Sequence, residues 1–109
     1  MQHDYDLKDV LKAIGLDCLS DYSYQPITRH DVICISYAKI QLSFATVWVE
    51  FTEYKYYKPD LRFYSLGPGR GIFYAIKNFL SLEELKLMYE SSLLNMEEAF
   101  IRSMFHNDI

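Results

Sequence analysis

The chain has 109 residues, of which half are hydrophobic, so it can form one domain with a core that needs neither disulfides nor metal. Fifteen acidic and eleven basic residues give a net charge of −4, which argues against attraction of the whole protein to nucleic acid or to anionic membranes. Two cysteines, an N-terminus without an apolar leader and the lack of any run of roughly 20 apolar residues favour a cytoplasmic protein. We therefore expect residues 1–109 to form a single compact domain without a cofactor.

The first predicted element is a short helix over residues 6–16. Four apolar residues follow helical spacing and form one stripe: Leu7, Val10, Leu11 and Ile14. Asp6 suits the N-cap, and Gly15 suits the left-handed position that ends a helix. The connection that follows, residues 17–29, can hold a short edge strand at Tyr22 and Tyr24.

Residues 31–57 contain neither Gly nor Pro and are rich in Val, Ile, Thr and aromatic residues, which predicts the centre of an antiparallel sheet. The apolar residues move from even to odd positions near Ala45–Thr46. Because strand side chains alternate with a period of two, we expect a β-bulge or bend there. The length of this stretch also requires a turn, which we place near Ala38–Lys39. One sheet face should be partly solvated and carry Thr46, Trp48, Glu50, Thr52, Tyr54 and Tyr56.

Lys58-Pro59-Asp60 predicts a turn that closes a hairpin between a strand ending near Tyr57 and another over residues 61–66. Residues 54–71 contain four basic residues and one acidic residue, so this region is net +3 within an acidic protein. Aromatic and basic side chains are typical of protein-interface hot spots and of surfaces that bind single-stranded nucleic acid. The candidate partner-binding residues are Trp48, Tyr54, Lys55, Tyr56, Tyr57, Lys58, Arg62 and Tyr64. The alternative is that these tyrosines only cover the sheet by cross-strand pairing.

The glycine-rich segment SLGPGRG, residues 65–71, precedes apolar residues at helical spacing, which predicts a helix over residues 72–80. A glycine-rich turn that enters a helix can bind an anion through backbone N–H groups. The candidate anion-binding residues are Gly67, Gly69, Arg70 and Gly71. The spacing matches neither a P-loop nor a dinucleotide fingerprint, and a purely structural loop is the alternative.

The last predicted element is a helix that begins at Leu82, after a capping box formed by Ser81 and Glu84. Leu87, Leu94 and Ile101 form a second apolar seam with a spacing of seven residues. Three interpretations are open: the helix is sandwiched, it breaks near Leu94–Asn95, or the seam pairs with a second copy to give a homodimer.

No catalytic or metal-binding constellation is evident. His30 and Cys34 would lie about 13 Å apart along a strand, beyond the hydrogen-bond reach of a Cys–His pair. Metal-ligand spacings such as C-x-x-C are absent from the sequence. We therefore expect a protein that is not an enzyme.

Together these patterns predict an α+β domain with two layers: a three- to four-stranded antiparallel meander, a short N-terminal helix and two C-terminal helices packed on one face. The expected function is a small protein-interaction module that blocks or bridges a macromolecular partner, of the inhibitor, antitoxin, immunity-protein or phage-regulator type. The alternative is binding of a nucleotide, a phosphate-bearing ligand or single-stranded nucleic acid through Gly67–Gly71 and the basic hairpin.

Overall fold

A computed structural model describes residues 5–107. The elements in chain order are α1 (Leu7–Ala13), β1 (Cys18–Tyr24), β2 (Val32–Gln41), β3 (Thr46–Tyr54), β4 (Asp60–Gly67), β5 (Arg70–Lys77) and α2 (Leu82–Asn107). The strands form one antiparallel sheet in the order β1-β2-β3-β4-β5. The predicted α+β class and antiparallel meander are confirmed, but within residues 5–107 the sheet has five strands, and one helix instead of two follows it.

Both helices pack on the same face of the sheet. The core there is built from alternate residues of the central strands, including Val47, Val49 and Phe51, together with Val10 of α1 and Leu85 of α2. Alternation directs these side chains to one face because successive residues of a strand point to opposite sides. The opposite sheet face, called the outer face below, carries no helix among the described residues and holds a second, smaller cluster that includes Ile35, Tyr37 and Tyr64.

The predicted division of residues 31–57 into two strands is confirmed, but the turn lies elsewhere. β2 runs without interruption past Ala38 and Lys39, which pair with Val49 and Trp48 of β3. The chain reverses instead at residues 42–45, where the Leu42 amide donates to the Ala45 carbonyl at 2.8 Å. Of the bulge or bend expected near Ala45–Thr46, the structure has a hairpin turn and no bulge there, and this turn produces the change of phase because its residues restart the alternation.

The helix predicted over residues 72–80 is wrong, because β5 occupies most of that segment. Pro68 and Gly69 form a two-residue turn between the paired residues Gly67 and Arg70 and return the chain along β4. The register shifts between Phe63 and Tyr64, so the apolar residues of β5 do not alternate strictly. That irregularity produced a helix-like spacing in a segment whose β-branched and aromatic residues suit a strand.

The predicted helix ends are largely confirmed. Asp6 caps α1 in a capping box with Asp9, and Gly15 has φ +75° just after the helix. The Ser81 hydroxyl accepts a hydrogen bond from the Glu84 amide at 3.1 Å, while the Glu84 carboxylate accepts from the Leu80 amide instead of that of Ser81. α2 continues for 26 residues without breaking at Leu94–Asn95.

Cys18 and Cys34 are free thiols. Within residues 5–107 no helix combines the length and the apolar character needed to cross a membrane.

Candidate functional site

The strand register places a polar row across the middle of the outer face. Tyr22 of β1 pairs with Tyr37 of β2, Tyr37 with Glu50 of β3, and Glu50 with Arg62 of β4. In the neighbouring row Ile35 pairs with Thr52, and Thr52 with Asp60. Directly paired residues have Cβ atoms about 5 Å apart, so these polar side chains can form hydrogen bonds across the strands.

Glu50 is the centre of this row. The Tyr37 hydroxyl donates to Glu50 Oε2. Oε1 accepts from the Tyr64 hydroxyl at 3.3 Å, from the Thr52 hydroxyl at 3.3 Å and from Arg62 Nη1 at 3.2 Å. Glu50 is only 6% exposed. A buried carboxylate is costly unless it is paired and hydrogen-bonded, and these donors from three strands meet that requirement.

Arg62 links Glu50 to a second buried carboxylate. Its Nη2 donates to Asp60 Oδ2 at 3.3 Å, and that oxygen also accepts from the Tyr54 hydroxyl at 3.0 Å. Asp60 is 8% exposed. One guanidinium therefore serves two carboxylates, and the group formed by Glu50, Asp60 and Arg62, called the acidic triad below, has a formal charge of −1.

Burial and the nearby carboxylates hold the tyrosine hydroxyls of this site protonated. Burial raises the pKa of Tyr64 to about 12, and the charge of Glu50 adds to this rise. Burial, followed by the hydrogen bond to Glu50, also raises the pKa of Tyr37 well above its usual range. Both hydroxyls therefore keep their protons through neutral pH, and each directs its proton at Glu50.

A cavity of about 600 Å³ opens above the polar row. Its floor includes Tyr37, Glu50, Thr52, Arg62 and Tyr64 of the sheet. Its wall comprises Tyr24 and the β1–β2 loop, and Gly69 of the β4–β5 turn lines it as well. The face expected to be partly solvated is corrected in detail: Trp48, Glu50, Thr52 and Tyr54 share it, but Glu50 and Thr52 are buried. Tyr56 lies beyond the end of β3.

The predicted partner-binding residues separate into two groups. Trp48, Tyr54, Arg62 and Tyr64 lie on the outer face, where Arg62 is engaged by the acidic triad and Tyr64 is buried. Lys55, Tyr56, Tyr57 and Lys58 are the exposed residues of the β3–β4 loop, residues 55–59. Tyr56 is 80% exposed and Tyr57 is 66% exposed.

The β3–β4 loop lies beside the β1–β2 loop at one end of the sheet. The Lys55 amide donates to the Asp31 carbonyl at 2.9 Å. Lys55 and Ile27 line the same smaller cavity, and Ile27 is 91% exposed. The two loops thus lie side by side, and we call their exposed residues Ile27, Lys55, Tyr56, Tyr57 and Lys58 the loop surface.

The glycine-rich segment does not have the geometry expected of an anion site. Arg70 and Gly71 already lie in β5, so the argument from a helix N-terminus no longer holds for Gly67, Gly69, Arg70 and Gly71. A Cβ on Gly71 would lie 2.7 Å from the Ser65 hydroxyl oxygen, and φ at Gly71 is +71°. Gly71 is therefore explained by backbone conformation and close packing.

The sequence patterns did not identify Tyr24, Tyr37 and Asp60 as site residues and assigned Glu50 and Thr52 only to a partly solvated face. One signal was available, since Glu50 is a charged residue within an alternating aromatic strand. Its partners on the neighbouring strands could not be recognised because they lie 12 to 14 residues away in the chain. Comparisons with protein-family models, with curated proteins and with solved structures found no match.

The outer face combines a cavity, aromatic rings and buried charge, which together suit binding. Within residues 5–107 no group of three or more His, Cys, Asp or Glu side chains could hold a metal ion. The site therefore offers hydrogen-bond acceptors, aromatic faces and a net negative charge to a ligand.

Proposed function

We propose that this chain is a small, non-enzymatic protein-interaction module that binds and blocks or bridges a macromolecular partner. The observation that carries the proposal is the loop surface, where Tyr56 and Tyr57 are 80% and 66% exposed next to Lys55 and Lys58. Exposed tyrosines beside basic side chains contribute strongly to the binding free energy when a partner removes them from water. An inhibitor, antitoxin, immunity protein or phage regulator would act in this way, in the cytoplasm.

Arg62 and Tyr64 take no direct part in the proposed loop contact. Arg62 is held by Glu50 and Asp60, and Tyr64 is buried against the sheet. Exposed Ile27 replaces them in the contact, because it lines the same small cavity as Lys55. The proposed loop contact consists of Ile27, Lys55, Tyr56, Tyr57 and Lys58.

The test is capture of partners from host-cell lysate with tagged protein. The variants Lys55→Glu/Lys58→Glu and Tyr56→Ser/Tyr57→Ser should lose the partner that the wild type recovers. Lys8→Glu/Lys12→Glu is the matched control, because it makes the same change in net charge at two exposed lysines of α1. Equal recovery by all four proteins would exclude the loop surface.

Self-association through α2 is a second proposal. The seam residues Leu87, Leu94 and Ile101 are exposed, with Leu94 at 78%. Phe105, one helical turn after Ile101, is exposed as well. Burial of such side chains against a second copy would remove apolar surface from water. Sedimentation at micromolar concentration should show a dimer that Leu94→Glu converts to a monomer, and a monomeric wild type would contradict the proposal.

Binding of a nucleotide, a phosphate-bearing ligand or single-stranded nucleic acid is the alternative function. It is favoured by the presence of Arg29, Arg62 and Gly69 around one cavity. A thermal-shift screen with phosphate, nucleotides and oligonucleotides at low salt tests it, because a ligand that binds only the folded state raises its stability. Unchanged melting temperatures would count against this alternative.

A further inference from the structure

The cavity above the acidic triad presents hydrogen-bond acceptors to a ligand. The hydroxyls of Tyr37, Tyr64 and Thr52 each donate to Glu50. A hydroxyl has one proton and two acceptor lone pairs, so once its proton is directed at Glu50 it can only accept from a ligand. Such a floor selects a ligand that carries N–H donors.

The charge around the cavity, counted with the partners of its arginines, also favours a cationic ligand. Arg29 pairs with Asp31 at 3.2 Å, and both side chains are about half exposed, so that pair adds no net charge. Arg62 pairs with both Glu50 and Asp60. Arg29, Glu50 and Arg62 line the cavity and alone sum to +1. Asp31 and Asp60 lie within 3.3 Å of the two arginines and bring the sum to −1, and the excess resides on the acidic triad, where burial weakens screening by water. Lys55 lines the neighbouring cavity instead of this one.

Aromatic rings provide a third feature that suits a cation. Tyr24, Tyr37 and Tyr64 all line the cavity. The rings of Tyr24 and Tyr37 are nearly parallel, at 11° with centroids 6.4 Å apart. Ring faces attract guanidinium and ammonium groups, and the attraction increases when the cation is partly removed from water.

We propose that the outer-face cavity receives an arginine or lysine side chain of the protein partner, whose N–H groups contact the tyrosine oxygens beside the acidic triad. This inference rests on the proposed function and adds that the partner presents a basic side chain to the outer face, beside the groups that contact the basic loop surface. The net charge of −4 on the chain would also attract such a partner over longer distances.

Arg62 is the group that an anion would use instead. It carries five N–H donors, of which two have the protein acceptors described above. Its charge is outweighed by the two carboxylates that it contacts, so an anion would approach a site with net negative charge. We therefore expect a cationic and an anionic ligand to give opposite results in a titration.

The experiment is a titration of the ¹⁵N-labelled chain with the capped tripeptide Gly-Arg-Gly, followed by amide chemical shifts. We expect saturable shifts at residues 25–29 and at Gly69. The matched control peptide Gly-citrulline-Gly has the same shape but no charge and should bind about tenfold more weakly or not at all. Equal binding of the two peptides, or no shifts with either one, would overturn the proposal.

Three variants locate the binding. Tyr24→Ala should weaken the Gly-Arg-Gly interaction about fivefold, as expected for loss of one cation–π contact. Because Tyr24 lies half exposed on an edge strand, this variant should keep the fold even if Glu50→Gln does not. Glu50→Gln, where it folds, should abolish binding, and Leu19→Ala, at an exposed position of the same strand as Tyr24, should leave it unchanged. An unchanged affinity in Tyr24→Ala would overturn the assignment to this cavity.

Inorganic phosphate serves as the anionic probe. If phosphate shifts the amides of residues 25–29 and Gly-Arg-Gly does not, the cavity is an anion site and the proposal is wrong. If Gly-Arg-Gly binds and every loop variant still captures the partner, the cavity is supported as a binding site and the loop surface is excluded. Failure of this inference can thus be distinguished from failure of the proposed function.

Discussion

Removal of the Arg62 guanidinium should strongly destabilise the folded chain. Arg62→Met keeps a side chain of similar length but leaves Glu50 and Asp60 buried with no cation between them. At 3.2 Å and an effective dielectric constant of about 20, one such ion pair corresponds to about 5 kcal/mol of gross attraction. Breaking a buried pair typically costs about 3–5 kcal/mol in unfolding free energy.

The lower end of that range applies here. The Arg62 side chain is a quarter exposed, so water can reach the space that its charge leaves and solvate the carboxylates in part. We therefore expect Arg62→Met to lose about 3 kcal/mol of unfolding free energy at neutral pH. Because domains of this size are stable by only about 5–15 kcal/mol, the loss should be evident in a urea titration followed by far-ultraviolet circular dichroism.

Arg102→Met is the matched control. Arg102 pairs with Glu98 at 3.7 Å on the surface of α2, where its side chain is 76% exposed. A pair of this kind contributes only about 0.3–0.5 kcal/mol, so this variant should unfold almost as the wild type does. If Arg62→Met and Arg102→Met cost the same, the description of the acidic triad as buried and coupled is wrong.

A second substitution should partly reverse the effect of the first. In the Arg62→Met background, Glu50→Gln replaces an uncompensated charge with a neutral amide, which is much less costly to bury. We expect the double variant to recover part of the lost stability. Additive losses would show instead that Arg62 stabilises the fold through packing of its stem and not through its charge.

Two further predictions concern the dependence of stability on pH. The pKa of Tyr64 is raised to about 12, above the value near 10 in the unfolded chain, so its contribution is complete below pH 10 and is lost as the pH rises to 12. Between pH 10 and pH 12 the wild type should therefore lose up to about 3 kcal/mol more unfolding free energy than Tyr64→Phe, measured by urea unfolding at each pH. An equal loss in the two proteins would refute this assignment. Burial, with a smaller effect of the Asp6 charge, raises the pKa of Glu53 in the folded chain. Protonated Glu53 therefore adds stability that is fully present below the pKa of the unfolded chain and is lost as the pH rises through the pKa of the folded chain. Glu53→Gln should therefore stabilise the chain at pH 7 and have little effect near pH 4, whereas equal effects at both values would contradict the sign.

The sequence alone determined those features that depend on near neighbours in the chain. Asp6, Gly15 and Ser81 act at helix ends through hydrogen bonds and backbone angles that span a few residues. The strand-forming composition of residues 31–57 likewise reflects local preference and alternation, and it correctly indicated two paired strands with one covered face.

Only the tertiary structure decided the features that depend on distant pairing. The apolar spacing of residues 72–80 fits a helix, yet the Pro68-Gly69 turn and pairing with β4 make this segment a strand. The acidic triad and its contact with Tyr37 depend on the register of β2, β3 and β4, and a shift of one residue would place Glu50 on the helix-covered face. No local pattern specifies that register, because it is set by burial of one face over the whole sheet.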